Sequence, residues 1–244
     1  MAVARDNSFA PFATASGTTS TKEDFVNAGN VITVFVYEEA SDSMVGVTWN
    51  TSENFTFGAK THLCYSSGEN THTLSVWYLV GATATTADIV ATRSTSTSTI
   101  DMGGISFTGA GTPDATSGFI TGTPGSCGAG ATLLSGNLTT LTDNSWIAGF
   151  ARFDNGGTPS GSGSYTKLEQ GSGGAAIEAT FDTNGALTPA GSKTIGLTGA
   201  GAGSVIGFIN IAVPPTPPSS VKTVDGIAFA DVKTWNGVAT GNIA

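Results

Sequence analysis

The chain carries many short apolar runs between residues 21 and 213, and no stretch of ten residues there has helical periodicity. The runs are rich in β-branched and aromatic residues, which favour strands, and clusters of Gly, Asn, Asp and Ser separate them. The clearest of them cover residues 31–37, 45–50, 74–80, 105–108, 146–151 and 205–211. This pattern predicts an all-β fold, an antiparallel β-sandwich of the jelly-roll type, with under about a tenth of the residues in helices.

Composition excludes several other classes. Of 244 residues, 34 are Gly and only 11% are charged. Gly is unfavourable in helix interiors, so a helical bundle, a coiled coil and a doubly wound α/β fold are excluded. The hydrophobic content of 39% and the 13 Phe argue against a disordered chain, because such a chain lacks the apolar residues to build a core.

Four segments differ in composition. Residues 1–20 form a polar N-terminal arm without periodicity, and residues 21–213 form the predicted β-sandwich domain. Residues 214–220 are a Pro-rich linker, which favours a stiff polyproline conformation. Residues 221–244 form a distinct tail, which we predict to be a short β-repeat.

The tail contains an internal repeat of 11 residues, because residues 221–231 align with residues 232–242. Each copy contains a dipeptide typical of tight hairpins, Asp225-Gly226 and Asn236-Gly237. Since 24 residues cannot bury a core of their own, the tail must dock on its own domain or on a partner chain. We predict an oligomerisation element, with folding back as the alternative. Its interface residues would be the apolar ones, Val221, Val224, Ile227, Phe229, Val232, Trp235, Val238 and Ile243.

The net charge of −9 limits the partners. The nine basic residues are scattered singly, whereas nucleic acids and anionic membranes require clustered Lys and Arg. No window approaches the ~20 apolar residues of a membrane span. Residues 1–20 lack the apolar core of a secretory signal. We therefore predict no nucleic acid, no membrane insertion and no signal peptide.

Few residues could perform chemistry. The only histidines, His62 and His72, are predicted to be partly exposed on strands or turns, and neither lies in a hydrolase motif. A zinc site of both with Cys64 would lack a fourth ligand. Glu38 and Glu39 would point to opposite faces of a strand, so they form no catalytic pair, and we expect a solvated strand end. The sequence predicts no enzyme, no cofactor and no metal site.

The remaining candidates are cysteines and aromatics. Sequence alone leaves open whether Cys64 and Cys127 form a disulfide. Three tryptophans lie inside apolar runs and are predicted core residues, namely Trp49, Trp77 and Trp146. Tyr165 follows a Gly/Ser-rich segment, so it is the candidate exposed aromatic and the candidate glycan contact.

Three runs, residues 45–50, 74–80 and 104–109, resemble in order and spacing a β-sandwich domain of bacteriophage structural proteins. The tail repeat, read as VKTxNGVA, is similar to C-terminal repeats of phage virion and tail proteins. The resemblance implies a non-enzymatic virion protein on the particle surface: a capsid decoration (cement) protein, a fibre or a tail-surface subunit.

Such a protein would act through subunit packing and would contact other virion proteins. By analogy with virion β-proteins, a homotrimer is the favoured homo-oligomer. Virion proteins are made in the host cytoplasm and released by lysis, which agrees with the missing signal peptide. The alternative function is a carbohydrate-binding adhesin or receptor-binding module, whose partner would be a host surface glycan.

Overall fold

A computed structural model describes most of the chain up to residue 217, together with four dipeptides of the tail. The described ranges are 2–14, 17–39, 43–63, 72–95, 99–120, 133–153, 159–163, 165–173, 176–198, 205–217, 223–224, 227–228, 234–235 and 238–239. Within these ranges every regular element is a strand, and no helix long and apolar enough to cross a membrane occurs. The predicted all-β antiparallel fold is confirmed.

The N-terminal half, residues 4–108, forms two antiparallel sheets. Its N-inner sheet has the order β1-β9-β3-β7-β6, and its N-outer sheet has the order β2-β8-β4-β5. The strands are β1 (Ala4–Thr14), β2 (Thr19–Asn27), β3 (Val31–Glu38), β4 (Met44–Trp49), β5 (Glu53–Asn54), β6 (Thr56–Leu63), β7 (His72–Val80), β8 (Thr85–Arg93) and β9 (Ile100–Thr108).

The C-terminal half, residues 115–213, also forms two antiparallel sheets. Its C-inner sheet has the order β10-β17-β12-β15-β14, and its C-outer sheet has the order β11-β16-β13. The strands are β10 (Ala115–Ile120), β11 (Leu133–Thr140), β12 (Trp146–Phe153), β13 (Ser160–Gly163), β14 (Thr166–Gly173), β15 (Ala176–Asp182), β16 (Gly191–Thr198) and β17 (Val205–Val213).

The two halves repeat one strand order. If the short strand β5 is set aside, each half has eight strands in the described residues. Counted along the chain, each inner sheet has the order first, eighth, third, sixth, fifth, and each outer sheet has the order second, seventh, fourth. The sequence predicts one β-sandwich domain over residues 21–213, whereas the described strands form two sandwiches with the same strand order.

Three hydrophobic cores join the four sheets into one stack. One core lies between the N-outer and N-inner sheets and one between the C-inner and C-outer sheets. The third lies between the two inner sheets and joins the halves. Both faces of each inner sheet are thus covered, so the central strands β3 and β12 are buried at every residue.

The junction between the halves is symmetric in its contacts. Strand β1 packs over β14, and the corresponding strand β10 packs over β6. The central strands β3 and β12 meet at Phe35 and Phe150, whose rings stack with their centroids 6.0 Å apart and an interplanar angle of 8°. Exchanging the halves preserves this set of contacts, which is the property of a two-fold, isologous interface.

Glycines permit the close approach at both edges of the junction. A Cβ on Gly171 of β14 would lie 1.6 Å from the carbonyl oxygen of Pro11 in β1. At the opposite edge, a Cβ on Gly118 of β10 would lie 2.6 Å from the Cβ of Thr61 in β6. The edge strands can therefore cross at these distances only because both positions lack a side chain.

The predicted N-terminal arm is wrong, because most of residues 1–20 belong to the body. Strand β1 pairs along β9, and its Phe9 is buried in the N-terminal core. Arg5 of β1 forms an ion pair with Asp182 of β15 at 2.7 Å, and Ser8 donates a hydrogen bond to Glu169 of β14. The segment looked polar because β1 is an edge strand with few fully buried side chains.

Two smaller expectations also change. Residues 214–217 of the linker dock on the body: Gly111 N donates to the carbonyl of Pro214, and Thr216 N donates to the carbonyl of Gly109. In β4, Val47 and Trp49 are buried as the alternation predicts, but Val45 is 65% exposed. The reason is an irregularity in the pairing of β4 with β8 between Met44 and Gly46, which breaks the alternation.

Candidate functional site

Half of the predicted assembly residues lie in the four described dipeptides of the tail. Two short hairpin pairings are present, β18 (Thr223–Val224) with β19 (Ile227–Ala228) and β20 (Thr234–Trp235) with β21 (Val238–Ala239). Val224, Ile227, Trp235 and Val238 belong to these strands. Outside the described residues lie Val221, Phe229, Val232 and Ile243. The role of the tail in assembly stays a prediction.

Tyr165 does not have the predicted exposure. It is only 5% exposed, its hydroxyl donates a hydrogen bond to Asn210 Oδ1, and its ring stacks on Phe181 in the C-terminal core. Burial accordingly raises the pKa of Tyr165 far above its ordinary value. The flanking Gly and Ser suggested a surface loop, but the ring turns inward to fill the sandwich. A buried ring cannot stack on a sugar, so Tyr165 is rejected as a glycan contact.

The three tryptophans predicted to be core residues are buried, with exposures of 0% for Trp49 and 8% for both Trp77 and Trp146. The two histidines differ from each other. His62 is exposed, whereas His72 is 5% exposed and hydrogen-bonded to the Tyr37 hydroxyl, so its predicted partial exposure is wrong.

No cluster of three or more His, Cys, Asp or Glu side chains that could hold a metal occurs among the described residues. Cys64 and Cys127 lie outside the described residues, and with them lie the disulfide and the zinc site considered above.

Glu38 is 1% exposed, which contradicts the predicted solvated strand end. Its carboxylate accepts hydrogen bonds from the Ser43 backbone N–H at 3.2 Å, the Ser43 hydroxyl at 2.7 Å and the Thr73 hydroxyl at 3.4 Å. Strand β3 lies in the middle of the N-inner sheet and is buried along its whole length, so Glu38, its last residue, is buried as well.

A buried ionic cluster crosses the junction of the halves. Arg152 of β12 forms ion pairs with Glu178 on the neighbouring strand β15 and with Asp101 of β9 in the other half, the latter at 3.2 Å. The guanidinium also lies 4.0 Å from the ring centroid of Tyr37. Asp101 Oδ1, Arg152 Nε and Thr180 Oγ1 are buried and have no hydrogen-bond partner among the described residues. Such incompletely paired charges cost stability rather than add it.

The electrostatics of Asp101 agree with that conclusion. Burial and, to a smaller extent, the charge of Glu39 raise the pKa of this carboxyl from 3.8 to about 6, against the opposing charge and hydrogen bond of Arg152. Burial also raises the pKa of Asp182, against the opposing effect of Arg5. A raised carboxyl pKa can mark a functional site, but buried structural ion pairs produce the same effect. The cluster lies in a packed interface, so we regard it as structural.

Three open clefts, of about 230, 260 and 410 Å³, lie near the edge strand β6 and the segment between β9 and β10. Phe57 lines the first and second clefts, and Asp114 lines the second and third. The second cleft is lined by residues of both halves, so it lies at the junction between the two sandwiches, a frequent location for ligand sites.

Phe57 is the exposed aromatic side chain that lines the first and second clefts. It is 48% exposed and contacts Trp77 edge-to-face, with a centroid distance of 5.1 Å. The pairing of β6 with β7 is irregular between Phe57 and Ala59, and such bulges redirect side chains. Sequence analysis missed Phe57 because simple alternation along residues 56–63 contains no sign of the bulge.

Asp114 connects the second and third clefts. Its Oδ2 accepts a hydrogen bond from the Thr142 hydroxyl at 3.0 Å, while its Oδ1 is buried. Burial raises the pKa of this carboxyl, although the hydrogen bond from Thr142 and those from the backbone of Asp114 and Leu141 oppose the shift. No motif singles out Asp114, because residues 112–114 read simply as a turn.

These features define an all-β protein of two stacked sandwiches with an open cleft at their junction. In comparisons with known proteins, no family model, no curated protein and no solved structure matches the chain.

Proposed function

We propose that the protein is a non-enzymatic structural protein of a bacteriophage particle, located on its surface as a capsid decoration protein, a fibre or a tail-surface subunit. The observation that carries this proposal is the repeated strand order. With the two-residue strand β5 set aside, each half has eight strands in the described residues, and the order of these strands in two antiparallel sheets supports the jelly-roll assignment. Viral capsid and lectin domains are built on jelly rolls.

The rigidity of the stack supports a structural role. The central core joins the halves through large apolar side chains such as Phe35, Phe107, Trp146 and Phe150. Close packing of this kind resists deformation. A particle component that works through subunit packing requires a stiff body. An enzyme would instead require convergent reactive groups, and we propose no catalytic group in this protein.

The tail is the proposed assembly element, in a homotrimer by preference. Its supporting features are the 11-residue repeat and the two short pairings, Val224 with Ile227 and Trp235 with Val238. Each such apolar side chain contributes about 1.5–3 kcal/mol when it is fully buried. Burial against neighbouring subunits would offset the entropy lost when the tail is ordered.

The test is particle composition. Particles released by lysis would be purified on a density gradient, and the protein would be quantified by mass spectrometry and located by labelling on intact capsids and on isolated tails. Recovery in a fixed copy number per particle is the expected result, and capsid or tail labelling separates decoration protein from fibre. Recovery only in the soluble fraction would reject the proposal.

Carbohydrate binding is the second candidate function, as an adhesin or receptor-binding module for a host surface glycan. Tyr165 no longer supports it, but the exposed ring of Phe57, which lines two open clefts, does. The two functions are compatible, because a surface subunit of a virion can also bind its host.

A further inference from the structure

We propose that the buried ionic cluster of Asp101, Arg152 and Glu178 is a pH-sensitive switch between the two sandwiches. One bound proton neutralises the cluster and holds the sandwiches together, and loss of that proton loosens their contact. This inference concerns the body of the protein and does not depend on the proposed function.

The first argument is the number of charges in the cluster. Two carboxylates, those of Asp101 and Glu178, contact a single guanidinium, that of Arg152, and none of the three residues is more than 6% exposed. With both carboxylates ionised, the cluster carries one net negative charge in a place that is shielded from water, which is costly. One bound proton makes the cluster neutral.

The second argument is the position of the cluster. Asp101 belongs to β9 of the N-terminal half, whereas Arg152 and Glu178 lie opposite each other on β12 and β15 of the C-terminal half. Within the cluster, the ion pair of Arg152 with Asp101, at 3.2 Å, is therefore the one that joins the two halves. A change in the charge of Asp101 acts directly on the contact between the sandwiches.

The third argument identifies Asp101 as the group that takes the proton. Its Oδ2 accepts a hydrogen bond from Arg152, while its Oδ1 is buried and has no partner among the described residues. An ionised oxygen in this position is unfavourable, because nothing replaces the water that it loses. Burial accordingly raises the pKa of Asp101 to about 6, despite the opposing charge of Arg152. The proton is thus taken up under mildly acidic conditions.

Other titratable groups also face Asp101. Glu39, which follows β3, adds negative charge and favours the protonated form. Tyr37 lies opposite Asp101 in the pairing of β3 with β9, and its hydroxyl is hydrogen-bonded to His72 of β7. Strand β1 places the uncharged Ala13 opposite Asp101. A variant that cannot titrate at Asp101 separates the switch from the contributions of Glu39 and His72.

The switch predicts how opening of the junction depends on pH. When the sandwiches separate, water reaches Asp101 and its carboxyl regains the ordinary pKa of 3.8, compared with about 6 in the closed junction. The closed junction therefore binds the proton more tightly, and acid favours the closed state. With these two values, the open population should be about tenfold smaller at pH 5 than at pH 7.5.

Labelling of a buried thiol measures the open population. Ala148 is fully buried in the core between the two inner sheets, and Ala91 is fully buried in the N-terminal core. Each is replaced by Cys in the full chain, in which Cys64 and Cys127 are first replaced by Ser. The labelling rate is divided by the rate for the urea-unfolded chain at the same pH. Ala148→Cys reports opening of the junction, and Ala91→Cys is the matched control for unfolding of a sandwich.

We expect Ala148→Cys to be labelled faster than Ala91→Cys at pH 7.5, and about tenfold more slowly at pH 5 than at pH 7.5. Asp101→Asn should abolish this tenfold difference, because the amide does not titrate. Glu178→Gln should move the difference to lower pH, because Arg152 then balances Asp101 without a proton. Equal labelling of the two positions at both pH values would overturn the proposal, and so would a tenfold difference that persists in Asp101→Asn.

A second measurement needs no substitution in a core. Carbon-13 NMR of the aspartate carboxyl groups in the wild-type chain should show one that titrates near pH 6, and its signal should be missing in Asp101→Asn. If the Asp101 carboxyl instead titrates near pH 4, like an exposed aspartate, the cluster holds no proton and the proposal is wrong.

Discussion

Replacing Asp101 by asparagine should change how the stability of the protein depends on pH. The folded protein keeps the Asp101 proton up to about pH 6, whereas the unfolded chain loses it near pH 3.8. Because the folded state binds more protons in this window, the free energy of unfolding must fall as the pH rises through it. The full difference in pKa corresponds to about 3 kcal/mol of unfolding free energy. The free energy of unfolding should therefore be about 2 kcal/mol higher at pH 4.5 than at pH 7.5 because of this carboxyl.

Urea unfolding followed by the fluorescence of the buried tryptophans measures this effect at pH 4.5 and pH 7.5. In Asp101→Asn the gain on acidification should shrink by about 2 kcal/mol, because the amide does not titrate. Glu23→Gln, which removes an exposed carboxyl of β2, is the matched control and should behave like wild type. If Asp101→Asn keeps the pH dependence of wild type, the assignment of the effect to this buried carboxyl is wrong.

Three further experiments test the architecture. Phe150→Ala should lower the free energy of unfolding by about 3–5 kcal/mol, because the ring is fully buried. Phe57→Ala, which removes a half-exposed ring, should lower it by about 1 kcal/mol or less, and chemical denaturation compares the two variants. Gly171→Ala should lower the free energy of unfolding by about 1–3 kcal/mol, because the new Cβ would clash with the β1 backbone. Gly46→Ala, with open space around the new Cβ, should be neutral or slightly stabilising, and equal effects of the two substitutions would contradict the close crossing at the junction. Removing residues 218–244 should leave a folded body whose mass by light scattering falls to that of a monomer, and retention of the full-length oligomer would show that the tail does not drive assembly.

Local patterns in the sequence predict the strands well, because strand formation depends on nearby residues. Residues 31–37 are a continuous β-branched and aromatic run, and they form most of β3, a strand covered on both faces. Trp49, Trp77 and Trp146 lie in apolar runs and are buried accordingly. These predictions required no knowledge of which strands pair.

The arrangement of strands depends on contacts between distant residues, which the sequence pattern does not contain. The β3 run VITVFVYE and its counterpart WIAGFARF in β12 show little likeness, so the duplicated topology was invisible. Arg152 and Asp101 are 51 positions apart and meet only because the halves stack. Tyr165 was misjudged for the same reason, since its partners Asn210 and Phe181 come from other strands.

The proposed function places the protein on the surface of a phage particle. Mass spectrometry of gradient-purified particles, with the protein counted against the major capsid subunit, tests it most directly. A surface component should be present in a fixed, stoichiometric copy number that survives high-salt washing, with label on the outside of intact particles. Absence from purified particles, together with full recovery in the soluble lysate, would contradict it.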